Sequence, residues 1–340
     1  MPWWIYAAFV ALVTALITLD LCVLHRGEKS LSVKKALGWT VFWVTLAMIF
    51  NVFIYFLYEG YIVPDWMTLS HASGKRAAIE FFTGYLIEYS LSVDNIFVIA
   101  LIIESFRVPA EHQHRLLFWG ILGAALLRGL MILAGATMMA HFEWTMYIFG
   151  GLLIFSALRM AFASEEDFDP EKSMVMRMAK KIFPVTHEYD GKYFFTIKDG
   201  QKFATPMLLA LILIESCDVV FAVDSIPAVF GVTRDPFLVF TSNIFAILGL
   251  RSLYFALAGI MADFHYLKRS LIVLLIFVGL KMMLDEPIEH AFPAWHDYKN
   301  IISLSVIGVI LGIGITASML HTPQTKEADQ PGPDSSPDAP

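Results

Sequence analysis

The sequence predicts an all-α, polytopic transmembrane bundle of about nine helices, and three observations predict it. Hydrophobic residues make up 57% of the 340 and charged ones only 16%, where a soluble domain carries about 25%. Many apolar runs reach the ~20 residues that cross a hydrocarbon core of ~30 Å. Basic residues collect in alternate connections, as the positive-inside rule asks of a chain that crosses repeatedly.

Residues 1–76 hold two N-terminal spans, near 3–24 and 37–58, with their connections. The first lacks the basic start and small-residue cleavage site of a signal peptide, so it reads as a true span. Residues 77–162 hold spans near 80–104, 116–140 and 144–162. The connection 163–205 opens with Glu165, Glu166 and Asp167, turns basic, and carries Asp199-Gly200 between apolar-rich flanks. That dipeptide in that setting signals a β-hairpin. Residues 206–284 hold spans near 206–229, 237–260 and 268–284, and residues 285–320 hold a loop and a last span near 301–320. The tail 321–340 is rich in Pro, Asp and Ser and is expected to be disordered.

Arg26, Lys29, Lys34 and Lys35 follow the first span, Arg107 and Arg115 the third, a basic stretch from Lys172 to Lys202 the fifth, and Lys268 and Arg269 the seventh. The alternate loops hold only Lys75, Arg76, Arg234 and Lys299. The first set is therefore expected in the cytoplasm, with the N-terminus outside and the C-terminus cytoplasmic. Cys22 and Cys217 lie in or beside apolar runs, so no disulfide framework is expected. Neither a nucleic-acid partner nor a resident cofactor is expected.

The chain also repeats itself. Residues 92–99 (SVDNIFVI) align with 216–223 (SCDVVFAV), Arg128 falls against Arg251 with one residue of slippage, and 152–160 (LLIFSALRM) aligns with 274–282 (LLIFVGLKM). Spans three to five and six to eight thus read as two copies of one three-helix unit, inverted across the membrane by the topology above. Inverted three-plus-three repeats around a midplane site are a recurring architecture of secondary transporters.

Ionisable groups within a bilayer cost about 2.5–3.5 kcal/mol each and default to functional candidates. Span three carries Glu88 and Asp94 with Asn95, span six carries Glu215, Asp218 and Asp224, and spans four and seven carry Arg128 and Arg251. Five acids against two arginines leave a surplus of negative charge that bound cations or protons must meet. The donors are carboxylate, amide and hydroxyl oxygens, which favour Mg²⁺, Ca²⁺ or Mn²⁺ over Zn²⁺ or Cu⁺. Cys217 is the one soft atom nearby and keeps a softer metal open. The expected metal residues are Glu88, Asp94, Asn95, Glu215, Asp218 and Asp224, with Arg128 and Arg251 as structural charge partners.

Helical geometry restricts their use. Glu88 and Asp94 are six residues apart, as are Asp218 and Asp224, so each pair is turned about 120° around its helix. Glu88, Ser92 and Asn95 share one face, and Asp218 and Ser225 another. Ligands are therefore expected from both repeats, and Pro227 is expected to bend or unwind the sixth span near Asp224. Glu80, Lys281, His112 and His114 read as span-end or solvated residues outside the site.

Residues 88–95 and 215–228 resemble the two signature stretches of the TerC family of membrane proteins, and residues 241–251 resemble a third. The likeness runs over about 1–320 and is nearest to the Alx branch of bacterial inner-membrane proteins. It implies divalent-metal efflux, chiefly of Mn²⁺, with historical links to tellurite resistance and alkaline pH. It also implies a serine where Cys217 stands. An alternating-access Mn²⁺ exporter is expected, with protons as a candidate coupling ion. The competing reading is a membrane scaffold or assembly factor using the 163–205 loop. An oxyanion carrier built on Arg128 and Arg251 sits poorly with the excess of acids. A membrane enzyme is not expected, since neither a Gly-x-Gly-Asp nor a His-Glu-x-x-His motif occurs.

Overall fold

The computed structural model describes residues 2–19, 33–62, 73–142, 144–162, 173–186, 188–198, 200–257, 265–292 and 295–320. The first-span residues beyond Leu19, with Cys22, and the tail from 321 lie outside the described residues, as does the side chain of Asp94.

The described helices are α1 (Trp3–Leu19), α2 (Val33–Tyr58), α3 (Gly74–Ser105), α4 (Ala110–His141), α5 (Thr145–Phe162), α6 (Met174–Ile182), α7 (Pro206–Phe230), α8 (Pro236–Leu248), α9 (Leu250–Leu257), α10 (His265–Ala291) and α11 (Trp295–Leu320). Strands β1 (Phe195–Lys198) and β2 (Gln201–Ala204) pair antiparallel, with Lys198 opposite Gln201 across the turn at Gly200. Gly200 supplies the positive φ, 76°, that such a turn requires.

Among the described residues seven helices are long and apolar enough to cross a membrane: α2, α3, α4, α5, α7, the α8–α9 pair and α11. The protein is an all-α, polytopic membrane protein. The two expected spans beyond these seven differ for physical reasons. Described α1 has only 17 residues, and α10 spreads Lys268, Arg269, Lys281, Asp285 and Glu286 along its length.

Polarity is arranged inside out. Leu126, Leu130, Leu133, Phe155, Val309 and Ile313 face outward, while Arg128, Glu88, Asn243, Thr241 and Ser242 are buried. In lipid the outer surface gains nothing from polarity, and polar groups are kept for the interior. Helix α8 is the central post: residues 237–248 are buried except Phe240. Pro236 starts it at a position whose N–H would be unsatisfied, and Asp235 caps it by accepting from Phe237 N at 2.9 Å. Phe9 of α1 and Phe50 of α2 pack on its Phe245, Phe50 with ring centroids 4.6 Å away.

Small residues let the helices close. A Cβ on Gly84 of α3 would stand 3.0 Å from both Ser242 of α8 and Val229 of α7. Gly150 of α5 and Gly279 of α10 meet backbone to backbone: a Cβ on either would lie 2.9 Å from the other's carbonyl oxygen. The described part of the expected single span over 237–260 runs through α8 and α9, with Gly249 between them in a right-handed helical backbone two residues before Arg251. Unwinding near Asp224 is not seen, because α7 runs helical through Pro227 to Phe230.

Candidate functional site at the α3–α4–α7 crossing

Three helices meet at one guanidinium. Arg128 of α4 is fully buried. Its Nε donates to Asp218 Oδ2 at 3.1 Å and its Nη2 to Asp218 Oδ1 at 2.7 Å, the two-pronged geometry that a planar guanidinium offers a carboxylate. Its Nη1 is in close ion-pair contact with Glu88 of α3, also fully buried. Ser92 donates to Glu88 Oε1 at 3.4 Å. Asn95, with its amide turned to suit its neighbours, accepts from Arg128 Nη2 at 3.1 Å and donates to the Leu91 carbonyl at 3.3 Å. Glu88, Ser92 and Asn95 therefore present their common helical face to Arg128.

Glu215 stands one turn before Asp218 on α7, against Gly123 of α4; a Cβ on Gly123 would overlap its carboxylate. Two buried oxygens here, Glu88 Oε2 and Glu215 Oε2, have no hydrogen-bond partner. Such orphans are rare in protein interiors and call for an explanation.

The remaining sequence candidates lie elsewhere or outside view. Asp224 accepts a short hydrogen bond from Ser156 of α5, about 120° around α7 from Asp218 and the Arg128 group. Arg251 of α9 lies 2.9 Å, Nη2 to Nδ1, from His114, whose ring packs on Phe255 with centroids 4.4 Å apart. Among the described residues no three His, Cys, Asp or Glu side chains converge as a ready metal cluster. An oxyanion reading is weakened, because Glu88 and Asp218 already occupy the Arg128 guanidinium.

A cavity of about 30 Å³ adjoins the group, bounded by Asn95, Asp218, Arg251 and Tyr254 and otherwise by apolar side chains such as Leu117 and Ile214. That is the space of about one water molecule, on the scale of an ion. It lies toward the end of the bundle that bears α6 and the hairpin.

The other end is closed by a second polar layer that sequence reasoning missed. Glu80 of α3 is 5% exposed. It accepts from Arg76 Nε at 2.9 Å, Asn300 Nδ2 at 2.8 Å and Thr233 Oγ1 at 2.6 Å. Tyr58 donates to Asp235 at 2.6 Å beside it. Lys281 donates to the Gly231 carbonyl at 3.1 Å, capping the C-terminal end of α7 instead of reaching outward. Glu80, Lys281 and His114 are thus internal bonding partners, where the sequence suggested span-end or solvated groups. The i, i+4 pair of Arg76 and Glu80 was the readable signal for the first; the others depend on distant partners.

Comparison with known proteins fits the signature stretches. The family model for integral membrane protein TerC matches residues 73–326, which include every residue of this site. The chain belongs to the TerC family. This TerC protein is 45% identical over 330 residues to the uncharacterized membrane protein STKORF319 of Myxococcus xanthus, covering 96% of each chain. It is 40% identical over 318 residues to Alx of Escherichia coli K12, which is named as a proposed membrane-bound redox modulator, covering 93% of this chain and 94% of that one. An uncharacterized membrane protein of Rickettsia bellii is 38% identical over 313 residues, 92% of this chain and 96% of its own. No solved structure matches.

Proposed function

We propose that this TerC protein exports a divalent cation, with Mn²⁺ the leading candidate, across the bacterial inner membrane by alternating access. The observation that carries the reading is the charge imbalance at Arg128. Glu88 and Asp218 pair with one described guanidinium, Glu215 stands one turn from Asp218 on α7, and the Oε2 atoms of Glu88 and Glu215 lack hydrogen-bond partners. One divalent ion neutralises the remaining two charges, and so do two protons. Exchange of one metal ion for two protons would leave the site electrically unchanged, which keeps the cost of carrying it through the membrane low. All the donors are hard oxygens, suited to Mn²⁺.

Arg128 is the resting counter-cation in this scheme. Metal entering beside it takes over Glu88 and Asp218, with Asn95 and Glu215 completing the oxygen set. Asp94 joins on its repeat-matched sequence position alone, and Asp224 serves as a further station beside Ser156. The full reading has nine spans, with the N-terminus outside, the C-terminus cytoplasmic, and the units 77–162 and 206–284 inverted. Packing supports the repeat. Helix α3 lies on α7 and α8, α4 lies on α7 and α8, and α5 pairs with α10. Exchanging one unit for the other maps these contacts onto one another. The water-sized space on the loop side and the bonded Glu80 layer opposite suit a carrier open to the cytoplasm.

The test is metal uptake into inverted membrane vesicles, Mn²⁺ first, with Mg²⁺, Ca²⁺ and Zn²⁺ as competitors. Glu215→Gln is the informative variant, since it removes a charge without breaking the Arg128 pairs. It should insert normally and lose at least tenfold in uptake. Wild-type uptake by this variant would sink the proposal.

A further inference from the structure

Helix α6 has three faces, and one of them is bare. Taken at about 100° per residue, Val175, Met176 and Ala179 point one way, Met174, Met178 and Ile182 a second, and Arg177, Lys180 and Lys181 a third. The first face is covered: Met176 and Ala179 are 2% and 5% exposed and join Ile103, Val108, Met207 and Ala210 in one core cluster. On the second, Met174, Met178 and Ile182 are 70%, 58% and 67% exposed. The third is exposed and wholly basic. Ser173 caps the helix by accepting from Met176 N at 3.2 Å, so this short element is fixed in place rather than nascent.

Its depth in the membrane follows from its neighbours. The core face of α6 packs on Met207 and Ala210, in the first turns of α7, which is a membrane-crossing helix. Upstream, α5 ends at Phe162, and ten residues at no more than about 3.6 Å each separate it from Ser173. A helix held at the first turn of a span lies at headgroup level. There an apolar flank meets acyl chains and an adjoining basic flank meets phosphate, the arrangement of interfacial amphipathic helices.

We propose that α6 binds the anionic phospholipid surface of its leaflet, inserting Met174, Met178 and Ile182 and pairing Arg177, Lys180 and Lys181 with lipid phosphates. The hairpin adds to the same surface: Ile197 is 76% exposed beside Lys198 and Lys202. Charge complementarity favours this occupant over a protein partner, since the leaflet expected at this end is rich in anionic lipid. The inference needs only the spans and not the metal chemistry.

The experiment uses the full chain with Cys22→Ser and Cys217→Ser, carrying Met178→Cys labelled with an environment-sensitive fluorophore. It is reconstituted into vesicles of phosphatidylcholine alone or with phosphatidylglycerol. Chain-brominated lipid should quench the label, and aqueous iodide should not, in the phosphatidylglycerol vesicles. Neutralising Arg177, Lys180 and Lys181 to Gln should weaken that preference by about fivefold per charge removed. A label quenched by iodide in both lipids overturns the proposal. Equal lipid quenching in both compositions overturns its electrostatic half, and protection that appears only on adding soluble proteins assigns the face to a protein partner instead. Mn²⁺ uptake measured in the wild-type vesicles reports separately, so failure of lipid engagement and failure of transport remain distinguishable.

Discussion

Replacing Arg128 with methionine tests whether the guanidinium holds the α3–α4–α7 crossing together. Methionine keeps an unbranched, buried stem but removes both hydrogen bonds to Asp218, the ion pair with Glu88 and the contact with Asn95. It leaves two carboxylates, with side chains 0% and 12% exposed, without their counter-charge. Breaking a buried pair in this way costs about 3–5 kcal/mol, a large part of the about 5–15 kcal/mol that stabilises a typical domain. The assay is denaturant unfolding of the purified protein in detergent, followed by tryptophan fluorescence. The decisive control is the triple variant Arg128→Met, Glu88→Gln, Asp218→Asn. With the charges removed together, most of the lost stability should return, because a neutral buried group needs no counter-ion. That variant should fold and show no metal uptake, which separates the structural duty of these residues from the transport role proposed for them. A loss below about 1 kcal/mol for the single variant, or a triple variant no more stable than the single, would refute the argument.

Two further outcomes follow from the ends of the bundle. Glu80→Ala abandons three donors from α3, the α7–α8 connection and α11; at about 1–3 kcal/mol for an unsatisfied buried group, it should destabilise measurably and expose a cysteine placed at Thr233 to membrane-impermeant thiol reagents. An unchanged labelling rate would mean that Glu80 closes nothing. In the hairpin region, the hydrogen bond from Lys198, 2.6 Å to Glu188, and its positive charge hold the Glu188 carboxyl below its ordinary value of 4.5. A depressed carboxylate stabilises the folded form above the unfolded pKa and loses that contribution as pH falls through the folded one. Amide protection factors of the hairpin, with exchange corrected for its intrinsic pH dependence, should therefore fall on acidification below about pH 4.5, and Glu188→Gln should flatten that response; an identical acid response in the variant would assign it to another group.

The legible part of this protein was whatever is written locally. Apolar length placed the helices that carry the site, and the 3.6-residue period put Glu88, Ser92 and Asn95 on one face and turned Asp224 away from Asp218. The Asp199-Gly200 dipeptide lies between paired strands. What was not legible depends on partners distant in the chain. Nothing near Glu80 announces Thr233 or Asn300, 153 and 220 residues away, and nothing near His114 announces Arg251, 137 residues on. Gly123 reads as an ordinary small residue until Glu215 of another helix is found against it. Proline misled for a different reason. Pro227 lacks the N–H that would donate to the Val223 carbonyl four residues back, yet α7 stays helical through it to Phe230.

The two buried acid layers are built on opposite principles, and that contrast argues for their roles. Both oxygens of Glu80 are met, by Arg76 and Asn300 on one and Thr233 on the other, so its acceptors are satisfied within the protein. A group so satisfied rigidifies what it joins. In the Arg128 layer Glu88 and Glu215 each keep a buried oxygen without a partner, a costly arrangement if stability were its only product. Selection for packing alone would have supplied a donor, as it did at Glu80, or removed the charge. Retaining Glu88 and Asp218 on one guanidinium with Glu215 one turn away on α7, beside a space the size of a water molecule, makes physical sense where a cation arrives, is held by those oxygens, and leaves.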